Sequence, residues 1–301
     1  MMADLPFSVD RTIGAAFLGN IAAGVFYGIT SLQTYMYYKK NFQDLPSFKA
    51  LIFALWILDG LHLAMTTHGM YWYLVTNFMN ASVVEVPVWS LLVQVYVTCL
   101  SDFSVRCIFA RRVWLLSNYS RVLVAVIMVA SLYVLGSGIA FASRGFIAGS
   151  FLLLLRDSWL LYSALGSAVF ADVFIAATLC FFLSKRRTGF KSTDNLVNTM
   201  MVYSINTGLL TSVCAMACFI TYAIWPQDFV FMGIYFTLSK LYLNSLLATL
   251  NARTLMREHD HRVSTNPEGV SFKFVPPLDC TAVMNSARSQ VSSTAELPIP
   301  L

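Results

Sequence analysis

The chain has 301 residues, of which 57% are hydrophobic and 12% charged, half the roughly 25% charged share of an average soluble domain. That shortfall, with the apolar residues gathered into long runs, excludes an ordinary soluble enzyme and points to an integral membrane protein. The formal net charge of +5 comes largely from basic residues flanking those runs. It speaks of topology and of attraction to anionic lipid, not of nucleic-acid binding.

Residues 1–10 lack the basic start of a cleavable signal peptide, and the apolar run that follows, after an extracellular N-terminus expected over 1–11, is longer than such a peptide's core. The first helix is therefore expected to remain as an anchor. Seven runs near the ~20 residues that cross a hydrocarbon core follow in order, at 12–38, 50–73, 88–110, 122–142, 160–183, 196–224 and 229–250. They are too continuously apolar for barrel strands, so the expected fold class is all-α, a bundle of seven membrane-spanning helices over 12–253. One set of connections carries Lys39, Lys40, Lys49, Arg111, Arg112, Arg121, Lys185, Arg186, Arg187, Lys191, Arg253, Arg257 and Arg262; the other has only Arg11, Arg144 and Arg156. Thirteen basic residues against three put the N-terminus outside and the C-terminus in the cytoplasm. Tyr37, Tyr38, Trp72, Trp89, Trp114, Trp159 and Trp225 at span ends fit interfacial aromatic belts.

The sequon Asn80-Ala81-Ser82 falls in an outside connection and is a candidate for glycosylation, although Asn118-Tyr119-Ser120 matches the same pattern on the opposite side. None of the six cysteines lies in an outside connection, so no disulfide is assigned. From 254 to 301 the composition turns to Ser, Thr, Pro and scattered charge, and Pro267, Pro276, Pro277, Pro298 and Pro300 block regular elements. This segment reads as a disordered cytoplasmic tail.

Ionisable groups at bilayer depth are costly, so each is a functional candidate until a structural partner is found. Asp59, Asp102, Arg106, Asp172 and Lys240 qualify, with His62 beside Asp59 on the second span and His68 two turns further along. Gln94, Thr98, Asp102 and Arg106 recur every four residues and form one stripe that must face protein; Asp102 and Arg106 are close enough to pair within the helix, and Arg106 to snorkel. Asp59, His62 and Thr66 form a second stripe, Thr237, Lys240, Asn244 and Asn251 a third, and Thr199, Tyr203, Asn206 and Cys214 a fourth. At 1.5 Å per residue, Lys240, Asp172 and Asp59 reach similar depths, about 14 to 18 Å into their spans. Lys240 is expected to pair with Asp172 or Asp59, and three carboxylates against two cations leave one acid to be protonated, or His62 to carry the proton. A static polar knot that glues the helices is the competing reading. Gly24 and Gly28 form a small-xxx-small step that suits a neighbouring helix or a second copy of the chain.

A lysine in the last span invites comparison with retinal proteins, but the residue one turn before it is Phe236 and not an acid. Only two histidines lie in spans, too few for a catalytic zinc with three protein ligands. Arg106 does not directly follow an acid, and Asn244 is followed by Ser245, not proline, so the signatures of G-protein-coupled receptors are absent. No nucleophile constellation or cofactor motif appears; the reading is of a protein that is not an enzyme and holds no cofactor.

Three stretches carry a resemblance. They are Arg187-Thr188-Gly189-Phe190 with Thr193-Asp194; Ile205-Asn206-Thr207-Gly208-Leu209-Leu210-Thr211-Ser212; and Lys240-Leu241-Tyr242 followed by Asn244-Ser245-Leu246-Leu247-Ala248-Thr249-Leu250-Asn251-Ala252-Arg253. With them the chain resembles a fungal group of seven-helix membrane proteins, abundant in mushroom-forming basidiomycetes and classed as domain of unknown function 6534. The domain would cover about 165–255. The resemblance implies membrane location and fold, and no activity. The expected function is receptor-like sensing in a plasma or internal membrane, with proton-linked transport of a small solute or a structural scaffold as alternatives. Expected partners are membrane lipid, a cytoplasmic protein at 184–195 and the tail, and a second copy of the chain.

Overall fold

The computed structural model describes residues 10–41, 44–78, 80–185, 191–225 and 228–265. The chain divides into two compact units, 1–259 and 260–301; of the second only residues 260–265 are described, and they are helical. Every regular element among the described residues is helical: α1 (Ala15–Lys40), α2 (Pro46–Tyr71), α3 (Trp89–Leu116), α4 (Arg121–Ala148), a single-turn α5 (Phe151–Leu154), α6 (Ser158–Lys185), α7 (Lys191–Ile224) and α8 (Val230–Thr265). One π-helical turn (Asp10–Gly14) leads into α1, and another (Trp72–Thr76) ends α2.

Local chemistry sets several of these boundaries. Pro46 starts α2, where its missing N–H is no loss. Gly149 closes α4 in the left-handed conformation, φ +61°, with its N–H donating to the Gly145 carbonyl. Asn118 and Tyr119, at φ +56° and +67°, make the tight turn between α3 and α4.

Among the described residues six helices are long and apolar enough to cross a membrane, at Thr12–Lys40, Pro46–Thr76, Val83–Leu116, Arg121–Ala148, Ser158–Lys185 and Val230–Ala252. The expected sixth span, 196–224, falls within α7, whose apolar part is the shorter Gly208–Ile224. Asn195, Asn198 and Asn206 dilute its first half. α8 continues to Thr265, twelve residues beyond the expected end at Arg253. Residues 254–265 hold helix formers and no proline, so nothing in the chain halts the helix there. The rest of the expected disordered tail, residues 1–9 at the other end, and residues 186–190 of the 184–195 connection lie outside the described residues.

Successive helices run antiparallel, as cross-helix contacts show. Asn20 meets Thr66 while Ser31 meets Trp56; Tyr96 meets Ser143; Tyr162 packs on Phe219 and Ser158 on Tyr222. α1 and α8 instead run parallel: Asn244 Nδ2 donates to the Phe26 carbonyl and Asn251 Nδ2 to the Gln33 carbonyl, two turns further along both helices. Gly19 and Gly233 lie at their point of closest approach, where a Cβ on Gly233 would stand 2.6 Å from the Ala15 carbonyl oxygen. α8 is the central helix, with 67% of its span buried against 22% for α1, α2 and α4. Its lower hydropathy is thus compatible with the bilayer, because its polar side chains face protein.

The aromatic residues at span ends divide. Trp72, Trp89, Trp114, Trp159 and Trp225 are exposed, as interfacial residues are. Tyr37 is instead fully buried, its hydroxyl donating to Asp44 Oδ2 at 2.9 Å; hydrogen bonding within the protein takes the place of the interface.

Candidate functional site

The helices bring the intramembrane ionisable residues together in two clusters joined through α8. In the first, Lys240 is fully buried and its Nζ donates to Asp59 Oδ1 at 2.8 Å and to the Asp59 carbonyl oxygen at 2.5 Å. The Tyr27 ring lies 5.6 Å from the ammonium, a cation–π contact that adds to the pair. Lys240 therefore takes one of its two expected partners, Asp59, and leaves the other, Asp172, free to pair elsewhere.

In the second cluster Arg106 Nε donates to Asp172 Oδ1 at 3.1 Å and its Nη2 donates to the Tyr242 hydroxyl oxygen at 2.7 Å. The Tyr242 hydroxyl donates in turn to Asp172 Oδ2, closing a triangle that ties α3, α6 and α8. Arg106 thus neither snorkels nor spends its hydrogen bonds on Asp102, as its spacing on α3 suggested. It is 2% exposed, and the neighbouring helices supply a carboxylate and a hydroxyl within its reach.

Asp102 is left over. Its Oδ1 has no hydrogen-bond partner, and with Gln94 and Arg106 it lines a cavity of about 130 Å³ between α3, α4, α6, α7 and α8. Gly138 of α4, Leu165 of α6, Cys218 and Tyr222 of α7, and Met232 and Tyr235 of α8 complete the wall, which is mostly apolar. A smaller cavity, about 20 Å³, lies beside Asp172, Gly208 and Thr211 and shares Arg106 and Tyr242 with the larger one. The Arg106–Asp172–Tyr242 triangle is thus the partition between two cavities.

The expected α3 stripe faces protein throughout. Gln94 and Thr98 are buried; Gln94 faces His62 and Thr98 faces Tyr235, with Gln94 Oε1 and Thr98 Oγ1 short of full hydrogen-bond geometry. His62 is buried beside Lys240, edge-on to Phe236 at 6.3 Å between ring centroids, with neither ring nitrogen hydrogen-bonded. Each such unpartnered atom costs about 1–3 kcal/mol. Asn244 donates from α8 to α1 as its stripe implied, and its Nδ2 also reaches the Lys240 carbonyl oxygen at 3.1 Å. Asn206 does not join the network: it is exposed on α7, because that helix turns residues 205, 206, 209 and 210 outward and Thr211 and Ser212 inward. His68 pairs with Ser90 (2.9 Å) near the end of α2. Asn80 is exposed in the α2–α3 connection, immediately before a 3-10 turn at Ala81–Glu85. Among the described residues no three His, Cys, Asp or Glu side chains converge to hold a metal ion.

Tyr242 stands in the sequence only as part of a family motif, and neither Tyr235 nor the partnering of Thr66 with Asn20 (2.7 Å) is legible there as a feature of the site. Tyr242 had a signal: two residues beyond Lys240 it points about 200° around the helix. Lys240 and Tyr242 therefore face two different partners.

Residues 168–255 match the model of the Family of unknown function (DUF6534), within the expected 165–255. The match takes in Asp172, Lys240, Tyr242 and Asn244, and leaves Asp59, Asp102 and Arg106 outside it. No curated protein and no solved structure matches the chain. The chain is thus an apolar protein, helical in every regular element among the described residues, with helices fit to cross a membrane and a stretch similar to a domain of unknown function.

Proposed function

We propose that this protein is a receptor-like membrane sensor, without catalytic activity of its own, that spans a plasma or internal membrane seven times with its N-terminus outside. The observation that carries the reading is the cavity of about 130 Å³ whose wall includes Arg106 and Tyr242. An occupant there touches the triangle tying α3, α6 and α8, and α6 leads from Asp172 to Lys185 at the start of the 184–195 connection. A bound molecule that favours one arrangement of these three helices shifts their equilibrium by its differential affinity, and the connection reports the shift to a cytoplasmic partner. The parallel packing of α1 and α8 supports an odd number of crossings, hence a return through α7. Gly24 and Gly28 face open space, which suits a second copy of the chain.

Amide hydrogen exchange in lipid nanodiscs tests sensing. Filling the cavity wall with Ala164→Phe is expected to change exchange over 184–195 at least about threefold, and identical rates in wild type and variant overturn the reading.

One observation favours proton-linked transport as a second reading. Asp102 is an acid without a cation of its own in the wall of the larger cavity, one helical turn from Arg106 in the partition between the two cavities. That reading requires acidification of proteoliposomes, followed with a trapped pH dye, to be lost in Asp102→Asn. No proton movement in wild type removes it, and failure of both assays leaves a structural scaffold.

A further inference from the structure

We infer that the large cavity is a site for an organic cation with an apolar body, a protonated amine whose head is held by Asp102 and whose body runs toward Gln94. The inference rests on the sensing reading for its consequence but on separate observations for its chemistry. Arg106 hydrogen-bonds Asp172 and Tyr242, so its charge is matched by Asp172, and Asp102 is the acid of the three whose ionised form lacks a counter-ion. Asp102 Oδ1 is a buried carboxylate oxygen with no donor, whereas Gln94, on a side chain only 3% exposed, faces His62 and marks the polar end of the same wall. Both residues line the same cavity. They stand two helical turns apart on α3, about 12 Å along the helix, so an amine at Asp102 leaves its carbon chain or a second donor to run toward Gln94.

The remaining wall selects against other ligands. Near the start of α3 it is apolar, with Phe151, Phe229 and Met232, which suits a hydrocarbon or aromatic body and offers no partner to a second charge. An anion would meet Asp102 before a guanidinium already engaged by a carboxylate. A neutral alcohol gains the hydrogen bond but not the charge, and a buried charged pair with a hydrogen bond is the stronger contact. Discrimination therefore follows from the unmatched carboxylate and not from shape.

The test compares n-hexylamine with n-hexanol on the full chain in lipid nanodiscs, with thermal stabilisation giving affinity and hydrogen exchange over 184–195 giving the response. The amine is expected to bind at least about tenfold more tightly than the alcohol; Asp102→Asn removes that preference while the alcohol still binds, and Asp102→Glu restores it. Ala164→Phe, which keeps the carboxylate and narrows the cavity, weakens both. Equal affinity of amine and alcohol, or an amine preference that survives in Asp102→Asn, overturns the cation site. An Asp102-dependent amine preference with no change over 184–195 upholds the site and overturns sensing, whereas an exchange response to both probes equally does the reverse.

Discussion

Lys240 concentrates the energetics at the level of single residues. Its ammonium is entirely buried against Asp59, and removing one partner of such a pair leaves the other charge uncompensated, at a cost of about 3–5 kcal/mol. Replacing both partners by groups without charge is far less damaging, since the pair's attraction does little more than offset its desolvation. Lys240→Met alone is therefore expected to lower the detergent melting temperature sharply or to abolish the folded protein. Lys240→Met combined with Asp59→Asn is expected to recover most of the loss. A single variant as stable as the double would mean that Asp59 needs no cation. The sequence placed Asp59, Asp172 and Lys240 at one depth, because rise per residue converts position into height. It could not choose between the aspartates, since that choice depends on how α8 is rotated. Asp102 became the unpaired acid for the same reason: spacing put Arg106 beside it, but Asp172 and Tyr242 on other helices compete better for the guanidinium.

At the level of elements, composition and periodicity revealed the helices because long apolar runs admit no other structure in lipid. They revealed less about contacts between helices, which small residues decide. Gly24 and Gly28 formed the visible motif, yet neither faces another helix of the chain, whereas Gly19 and Gly233, far apart in sequence, let α1 and α8 touch. Nothing local to Gly19 or Gly233 distinguishes them from Gly136, whose Cβ would meet open space. Gly233→Val is expected to cost about 1–3 kcal/mol by overpacking, because its Cβ would overlap the Ala15 carbonyl oxygen at 2.6 Å. The same change at Gly28 is expected to leave the monomer's melting temperature within about 1 °C, as it meets nothing. Equal effects at the two glycines, read by thermal unfolding, would show that α1 and α8 do not cross there.

Across the whole molecule, helix direction and charge distribution bear on topology independently. Alternating antiparallel contacts from α1 to α4, with α1 and α8 parallel, place the start of α1, the α2–α3 connection and the start of α8 at one end of the bundle. The turn at Asn118 and Tyr119 lies at the other end. The two sequons therefore occupy opposite ends, and only one can face the compartment where oligosaccharide is attached. The bias of basic residues assigns that side to Asn80, which is exposed just before the turn at Ala81–Glu85. Expression in a glycosylating host is expected to give one glycosidase-sensitive species, shifted to the unmodified mass by Asn80→Gln and unaltered by Asn118→Gln. A shift caused by Asn118→Gln would invert the orientation and put the 184–195 connection outside. Modification of both sites in one molecule would contradict the helix directions themselves, because no single insertion of this bundle presents both ends to the same compartment.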